Sequence, residues 1–415
     1  MALDKRFHVR RPSRLLLWTV CAYFYPFYKI KHKIKIDRSG LKGLKKPYIV
    51  LVSHTGWNDY AIVGATLLPH SANFMVTNLI EREPIIRTLT KIMGSIYKRV
   101  FYPDSNSIRR ARYVLDRKGI IVMMPAGDVS IDGSTNYLDN GTARLIKWLN
   151  VPVVALTIHG GYLHLPRFHK KTNAGARIEV ETKLLFTPEK IQEKTTKQIY
   201  EELWDALYFN DFEWQKQKRM VFKGKNLADG MENILFKCPK CGGEFTNRSH
   251  GMRIECEKCG NTVNVNKYFE FEPCDAEDKC FDNIYEWNKF QKESINKEIK
   301  DPDFTFTVKT EIWRDKRNSK TGYEKRGEGT LSLDSKNIVY RGTFDGEEVE
   351  QIKNIRRLPN ISMVNCDCIE VTAGEYVNRY FFADHRQYVK FVLMFNLIRL
   401  KYYPYDYRDD AVMQF

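Results

Sequence analysis

Four short runs of unbroken apolar residues constrain the fold more than any other feature: Ile49 to Val52, Phe74 to Val76, Ile120 to Met124 and Val151 to Ile158. Runs of this length without polar alternation suit strands buried on both faces, as in a parallel sheet wrapped by helices. The segments between them, such as Ser107 to Lys118 and Thr142 to Leu149, are long enough to be those helices. The expected fold class is therefore α/β, with a mostly parallel sheet flanked by helices. A further strand is expected from Ala176 to Leu185. It leads into a charged helix from Pro188 to about Tyr208, where Ile191, Ile199, Leu203 and Leu207 share one stripe.

The texture then changes twice. Cysteines dominate Lys237 to Val265, and from Phe304 onward the pattern is β-type. Phe304, Phe306 and Val308 are followed by Glu311 to Trp313, Gly329 to Leu333, Ile338 to Arg341, Ile369 to Thr372 and Tyr380 to Phe382, with Gly, Asn and Asp turn signals between them. A small β-rich domain closed by a C-terminal helix, Asp384 to about Leu400, is expected. The boundaries read as 1–40, a basic and aromatic segment; 41–230, the α/β domain; 235–270, the cysteine module; and 300–402, the β-rich domain. A chain of 415 residues accommodates this division at roughly 150 residues per domain.

The charge balance, 67 Lys and Arg against 51 Asp and Glu, is +16 and favours an anionic partner: nucleic acid, an anionic lipid surface or a phosphorylated substrate. The 43% hydrophobic and 28% charged content excludes wholesale disorder and a polytopic membrane protein. Leu15 to Tyr28 is apolar and lies between two basic clusters. It is shorter than the roughly 20 residues a spanning helix needs, Pro26 would interrupt a longer one, and no A-x-A-like cleavage site marks a secretory signal. Its aromatics (Trp18, Tyr23, Phe24, Tyr25, Phe27, Tyr28) and flanking cations make it an expected interfacial anchor on a lipid surface. A helix packed on the protein's own core is the other reading.

The first buried run ends at Ser53-His54-Thr55-Gly56-Trp57-Asn58-Asp59, where an α/β sheet delivers side chains to a crevice. With His54 on the loop and Asp59 in the first helical turn, the carboxylate can fix one imidazole nitrogen and leave the other free to take a proton from a hydroxyl. An H-x4-D spacing alone is common by chance, and its weight comes from its companions. Met93-Gly94-Ser95-Ile96-Tyr97-Lys98-Arg99, Met124-Pro125-Ala126-Gly127-Asp128-Val129-Ser130, Val151-Pro152-Val153-Val154 and Gly161-Tyr162 with Pro166-Arg167 follow in order. Together these blocks, over about residues 40 to 210, resemble the glycerolipid acyltransferase family, the 1-acylglycerol-3-phosphate acyltransferases and their relatives.

The resemblance implies transfer of a fatty acyl group from acyl-CoA or acyl-acyl carrier protein to a lipid hydroxyl, with lysophosphatidic acid or a related lysolipid as acceptor in phospholipid biosynthesis. It makes His54 the general base and Asp59 its partner, and places Gly127, Asp128, Arg99 and Arg167 among candidate acceptor-binding residues. It implies no metal or organic cofactor for this step. Three departures fall on acceptor-binding positions: Ala126 stands where the family has glutamate, Val129 where it has arginine, and Val100 where the second block has arginine. Lys98, Arg99, Arg109, Arg110 and Arg112 either supply phosphate-binding charge instead or form a solvated helix face. Asp128 either hydrogen-bonds an acceptor hydroxyl or is a turn residue beside Gly127. His159 and His164 read as structural.

Cys238, Cys241, Cys256 and Cys259 form C-x2-C-x14-C-x2-C, with Gly242 and Gly260 after the two knuckles. Four thiolates so spaced close a tetrahedral structural zinc site, with disulfides the rival reading, and the segment resembles a zinc ribbon or rubredoxin-like knuckle pair, for which iron is the alternative metal. Cys274, Cys280, Cys366 and Cys368 lack such spacing and read as plain thiols. A nucleic-acid- or protein-binding zinc module is the rival reading for the chain, but the aromatic signatures of RNA modules and a helix-turn-helix are not found. A non-catalytic lipid-binding scaffold is a third. The C-terminal β pattern resembles a pleckstrin-homology or GRAM-type domain. The expected setting is cytoplasmic and peripheral, on the inner face of the cell membrane.

Overall fold

The structure, a computed structural model, describes residues 5–31, 33–78, 84–99, 104–315, 322–358, 360–374 and 376–402. Val100, one of the three departures, lies outside them, as do the side chains of Tyr23, Phe24, Phe27 and Tyr28. The chain packs as two compact units, Met1–Pro166 with Ala174–Met220, and Arg167–Asn173 with Val221–Tyr405.

The first unit is built on a seven-stranded sheet. Its strands are β1 (Lys35–Ile36), β2 (Tyr48–Val52), β3 (Asn73–Thr77), β4 (Ile96–Lys98), β5 (Ile120–Met123), β6 (Val153–His159) and β7 (Glu179–Phe186), in the spatial order β1-β7-β6-β2-β5-β3-β4. Neighbours pair parallel except β6 with β7, which are antiparallel. The helices are α1 (Arg14–Lys31), α2 (Asp59–Leu67), α3 (Pro84–Ile92), α4 (Ser105–Asp116), α5 (Gly141–Leu149), α6 (Gly161–His164), α7 (Pro188–Glu193), α8 (Thr196–Leu207) and α9 (Asp211–Lys218).

Alternation along β2 explains why it is apolar throughout. Ile49 and Leu51 join a core with Ala111, Val114 and Leu115 of α4, Ala143 and Ile146 of α5, and Leu203 and Leu207 of α8. Tyr48, Val50 and Val52 join the opposite core, with Ile62, Val63 and Leu67 of α2. Successive side chains leave a strand on opposite faces, so a central strand covered twice has no polar position. Each buried Val, Leu or Ile here contributes about 1.5–3 kcal/mol relative to exposure.

Two expectations are corrected. The segment from Pro188 is two helices, because Thr195 starts a new one: its hydroxyl accepts the Gln198 N–H while the Gln198 side chain accepts the Thr195 N–H. And α1 runs through Pro26 to Lys31 rather than stopping there. Proline removes one backbone hydrogen bond from a helix interior, and packing on α2 offsets the loss: Leu17 and Cys21 are buried with Ala65 over Gly64, with Tyr25 packed beside them. Leu15, Trp18 and Ile30 are exposed on α1. Among the described residues no helix is long and apolar enough to cross a membrane.

The second unit holds an antiparallel sheet of β8 (Asn247–His250), β9 (Arg253–Cys256), β10 (Thr262–Val265) and β11 (Phe271–Pro273), then α10 (Ile284–Glu298), which the sequence reading did not anticipate. There follow seven antiparallel strands, β12 (Phe306–Asp315), β13 (Tyr323–Leu333), β14 (Asn337–Phe344), β15 (Glu347–Asn354), β16 (Ser362–Val364), β17 (Cys368–Ala373) and β18 (Tyr376–Phe382), ordered β15-β14-β13-β12-β18-β17-β16. The closing helix is α11 (Gln387–Tyr402), whose Tyr388, Phe391, Val392 and Phe395 are buried. The β-rich region closed by a C-terminal helix is as expected.

Candidate active site and metal centre

His54 follows β2 directly, on a loop that ends where Asp59 opens α2. The turn between them folds the carboxylate back under the ring: His54 Nδ1 lies 2.9 Å from Asp59 Oδ2. The same oxygen accepts the main-chain N–H of Thr55 at 2.7 Å and of Gly56 at 3.1 Å, and Oδ1 accepts the Thr55 hydroxyl at 2.8 Å. Asp59 is 1% exposed, so these donors replace the water that a buried carboxylate requires. An acceptor on Nδ1 fixes the Nδ1–H tautomer and leaves the Nε2 lone pair as the basic site. Tyr60 stands edge-on to the imidazole, with ring centroids 6.3 Å apart. Burial first, and the neighbouring Asp59 second, push its phenol up to about 12, so it stays protonated.

Two further loops close on this turn. Ser130, from the third block, donates its N–H to the His54 carbonyl at 3.1 Å. At the end of β6, the Ser53 hydroxyl accepts the Ile158 N–H at 2.9 Å, and the Gly160-Gly161 turn packs on Thr55. A Cβ on Gly161 would fall 2.0 Å from Thr55 Oγ1. Asp211, the first residue of α9, is fully buried and accepts the N–H groups of Gly160 at 2.8 Å and Tyr162 at 2.9 Å. Burial raises its carboxyl to about 7, against the lowering effect of those backbone donors, with the nearby Asp59 adding to the rise.

Thr55 and Asp211 were missed by sequence reasoning, and Gly161 was noted only as part of a block, without this contact. Gly160-Gly161 at the end of a strand was a visible signal for a close approach. Asp211, 152 positions after Asp59 by the numbering, carried none.

Gly127 has φ +67° and only open space where a side chain would be, so its backbone is bare on one side. Asp128 Oδ1 accepts the N–H of Val129 at 2.8 Å, a turn contact. Val129 is buried, which puts an apolar side chain into the core at the family's arginine position. Arg99 is exposed and its main-chain N–H donates to Asp104 Oδ2 at 2.8 Å. Beside it Lys98 Nζ lies 3.6 Å from Asp139, whose own N–H donates to the Pro125 carbonyl at 3.0 Å. These contacts tie the end of β4 to the start of the third block. Arg167 belongs to the second unit, where it is buried and its guanidinium donates to the Met363 carbonyl. His159 stacks on Trp214, with ring centroids 6.0 Å apart, and burial holds its imidazole below the ordinary range.

In the second unit the sulfurs of Cys238, Cys241, Cys256 and Cys259 all lie within 4.8 Å of one another. Cys238 to Cys259 is 3.7 Å and Cys241 to Cys256 is 3.8 Å. A tetrahedron of thiolates at about 2.3 Å from a zinc ion has edges of about 3.8 Å, whereas a disulfide would need about 2.05 Å. Gly242 (φ +67°) and Gly260 (φ +68°) close matching knuckles, each donating its N–H to the carbonyl of the first cysteine, at 3.0 and 2.9 Å. The four side chains fit a metal ion with no open coordination position.

Comparison with known proteins agrees with the first unit. The sequence model of the family described as Acyltransferase matches residues 29–159. No curated protein gives a significant match. Among solved structures, the 1-acyl-sn-glycerophosphate (LPA) acyltransferase PlsC from Thermotoga maritima is similar at 14% identity and a TM-score of 0.39, over 46% of this chain and 78% of that one. Residues 29–159, which carry His54 and Asp59 where a parallel sheet meets α2, match the acyltransferase family, and the chain therefore contains an acyltransferase domain.

Proposed function

We propose that the enzyme transfers a fatty acyl group from acyl-CoA or acyl-acyl carrier protein to the free hydroxyl of a lysolipid, with lysophosphatidic acid the first acceptor to test. The observation that carries this reading is the 2.9 Å contact between His54 Nδ1 and Asp59 Oδ2. His54 Nε2 takes the hydroxyl proton, the oxygen attacks the thioester carbonyl, and the carbon–sulfur bond breaks as the proton passes to the departing thiolate. Asp59 supports the imidazolium formed between these steps. The open backbone of Gly127 allows an acceptor close approach, with Asp128 beside it, while Lys98 and Arg99 at the end of β4 supply charge for a phosphate. The buried Val129 and Arg167 argue for another lysophospholipid, a glycolipid or a plain alcohol as acceptors to be tried alongside.

The enzyme works on a membrane surface, at the cytoplasmic face, held by α1. Leu15 and Trp18 are exposed beside Arg10, Arg11 and Arg14, which complement anionic headgroups. The four cysteines hold a structural zinc ion, and the β-rich domain acts as a pleckstrin-homology or GRAM-like module. Lipid mass spectrometry after incubation with acyl-CoA and a panel of lysolipids and alcohols tests the reading. Acylated lysolipid supports it, and no acylation of any hydroxyl across the panel, with either donor, overturns it.

A further inference from the structure

Three links converge on Asp211 from the two sides of His54. Its carboxylate holds the Gly160-Gly161 turn through the N–H groups of Gly160 and Tyr162 at 2.8 and 2.9 Å. Its main-chain N–H donates to the Gly133 carbonyl at 2.8 Å, in the loop that also contains Ser130. The Tyr162 hydroxyl returns to that loop, donating to the Ile131 carbonyl at 2.9 Å. One buried residue therefore pins both loops that close on the H-x4-D turn.

From each loop the contact continues to the imidazole. On one side, Gly161 lies so close to Thr55 that a Cβ would strike its hydroxyl, and that hydroxyl is the donor to Asp59 Oδ1. On the other, Ser130 holds the His54 carbonyl. Gly160 takes φ +76°, a conformation open to glycine, and its N–H is the one the Asp211 carboxyl holds. Asn210 caps α9 by accepting the N–H groups of Phe212 and Glu213, which fixes where Asp211 begins.

We propose that Asp211 is a positioning residue for the acyltransferase site: it seats the Gly160-Gly161 turn against Thr55 and the Ser130–Gly133 loop against His54, and so holds the Asp59 carboxylate on His54 Nδ1. It touches neither substrate nor the reacting atoms. The proposal rests on His54 being the base. Burial first, and the nearby Asp59 last, raise the Asp211 carboxyl.

Asp211→Asn tests this while keeping the shape. An amide presents one acceptor and one donor, so one of the Gly160 and Tyr162 N–H groups faces an NH2 and the turn loosens. The full chain is labelled with 15N-histidine, the His54 signals are assigned by their loss in His54→Gln, and the ring 15N shifts are followed against pH. In the wild type His54 shows the Nδ1–H tautomer. In folded Asp211→Asn the Nδ1–H and Nε2–H tautomers mix, because the turn that seats the Asp59 carboxylate on Nδ1 has loosened. Gly161→Ala, which leaves Asp211 intact and forces Thr55 away, gives the same change and decides the matter if Asp211→Asn does not fold. A folded Asp211→Asn, or in its absence a folded Gly161→Ala, with the wild-type tautomer overturns the proposal. The base reading fails separately, if His54→Ala keeps acyl transfer, and the ring spectra do not depend on that assay.

Discussion

The Thr55 hydroxyl donates to Oδ1 of Asp59 at 2.8 Å, on the carboxylate oxygen that His54 does not use. With His54 and two main-chain N–H groups on Oδ2, this bond completes the partners of a carboxylate that water barely reaches. Thr55→Val keeps the shape and removes the donor. It is expected to cost about 1–3 kcal/mol of stability, the penalty for an unsatisfied buried acceptor, and to lower acyl transfer with it. Thr55→Ser should restore both. Urea unfolding of the two variants checks this, and an unchanged midpoint for Thr55→Val would show the bond to be dispensable.

Asp211 makes stability depend on pH in a direction unusual for an acid. Its carboxyl titrates at about 7 in the folded chain, well above the ordinary 3.8. Between these values the native state holds a proton that the unfolded state gives up, so stability falls as pH rises. The contribution is fully present below the ordinary value and lost as pH passes through about 7. One proton is at stake, so the slope is at most about 1.4 kcal/mol per pH unit. Asp211→Asn should flatten unfolding midpoints across this window, and identical pH slopes in the two proteins would contradict the assignment.

The cysteine tetrahedron predicts about one zinc ion per chain by elemental analysis of the purified protein. Cys238→Ser or Cys256→Ser should lose the metal and expose the second unit to protease, because Phe236, Ile254 and Val263 around the knuckles are buried and depend on them. Full zinc content in either variant would refute the four-thiolate site.

On α1, Leu15 and Trp18 are exposed while Leu17 and Cys21 pack on α2. Leu15→Glu with Trp18→Glu should leave folding unchanged and weaken sedimentation with anionic phospholipid vesicles at least tenfold, since the two changes remove apolar contact and add like charge. Undiminished sedimentation would move the membrane contact elsewhere on the molecule.

Much of this was legible in the sequence where one local rule dominates. The unbroken run at Ile49 to Val52 is a strand because both of its faces are buried, and β6 is legible for the same reason. The four cysteines were legible because metal spacing is short-range, as was the adjacency of His54 and Asp59 across one turn. What was hidden depends on distant partners. Pro26 lies inside a helix because α2 supports it, which no window around residue 26 contains. The strand β15, Glu347–Asn354, carries three glutamates among its eight residues and forms because β14 pairs with it along its whole length. Asp211 and Gly161 reach the His54–Asp59 turn only through the fold.

On the proposed mechanism His54 Nε2 removes the acceptor's proton. The most direct measurement compares initial rates of acyl transfer by wild type and His54→Ala, with the acyl-CoA and lysolipid that give product in the lipid panel, after circular dichroism shows both folded. A fall of about 10³-fold in kcat is expected, within the range for losing a general base, with KM for the lysolipid little changed. An undiminished rate in His54→Ala would contradict it.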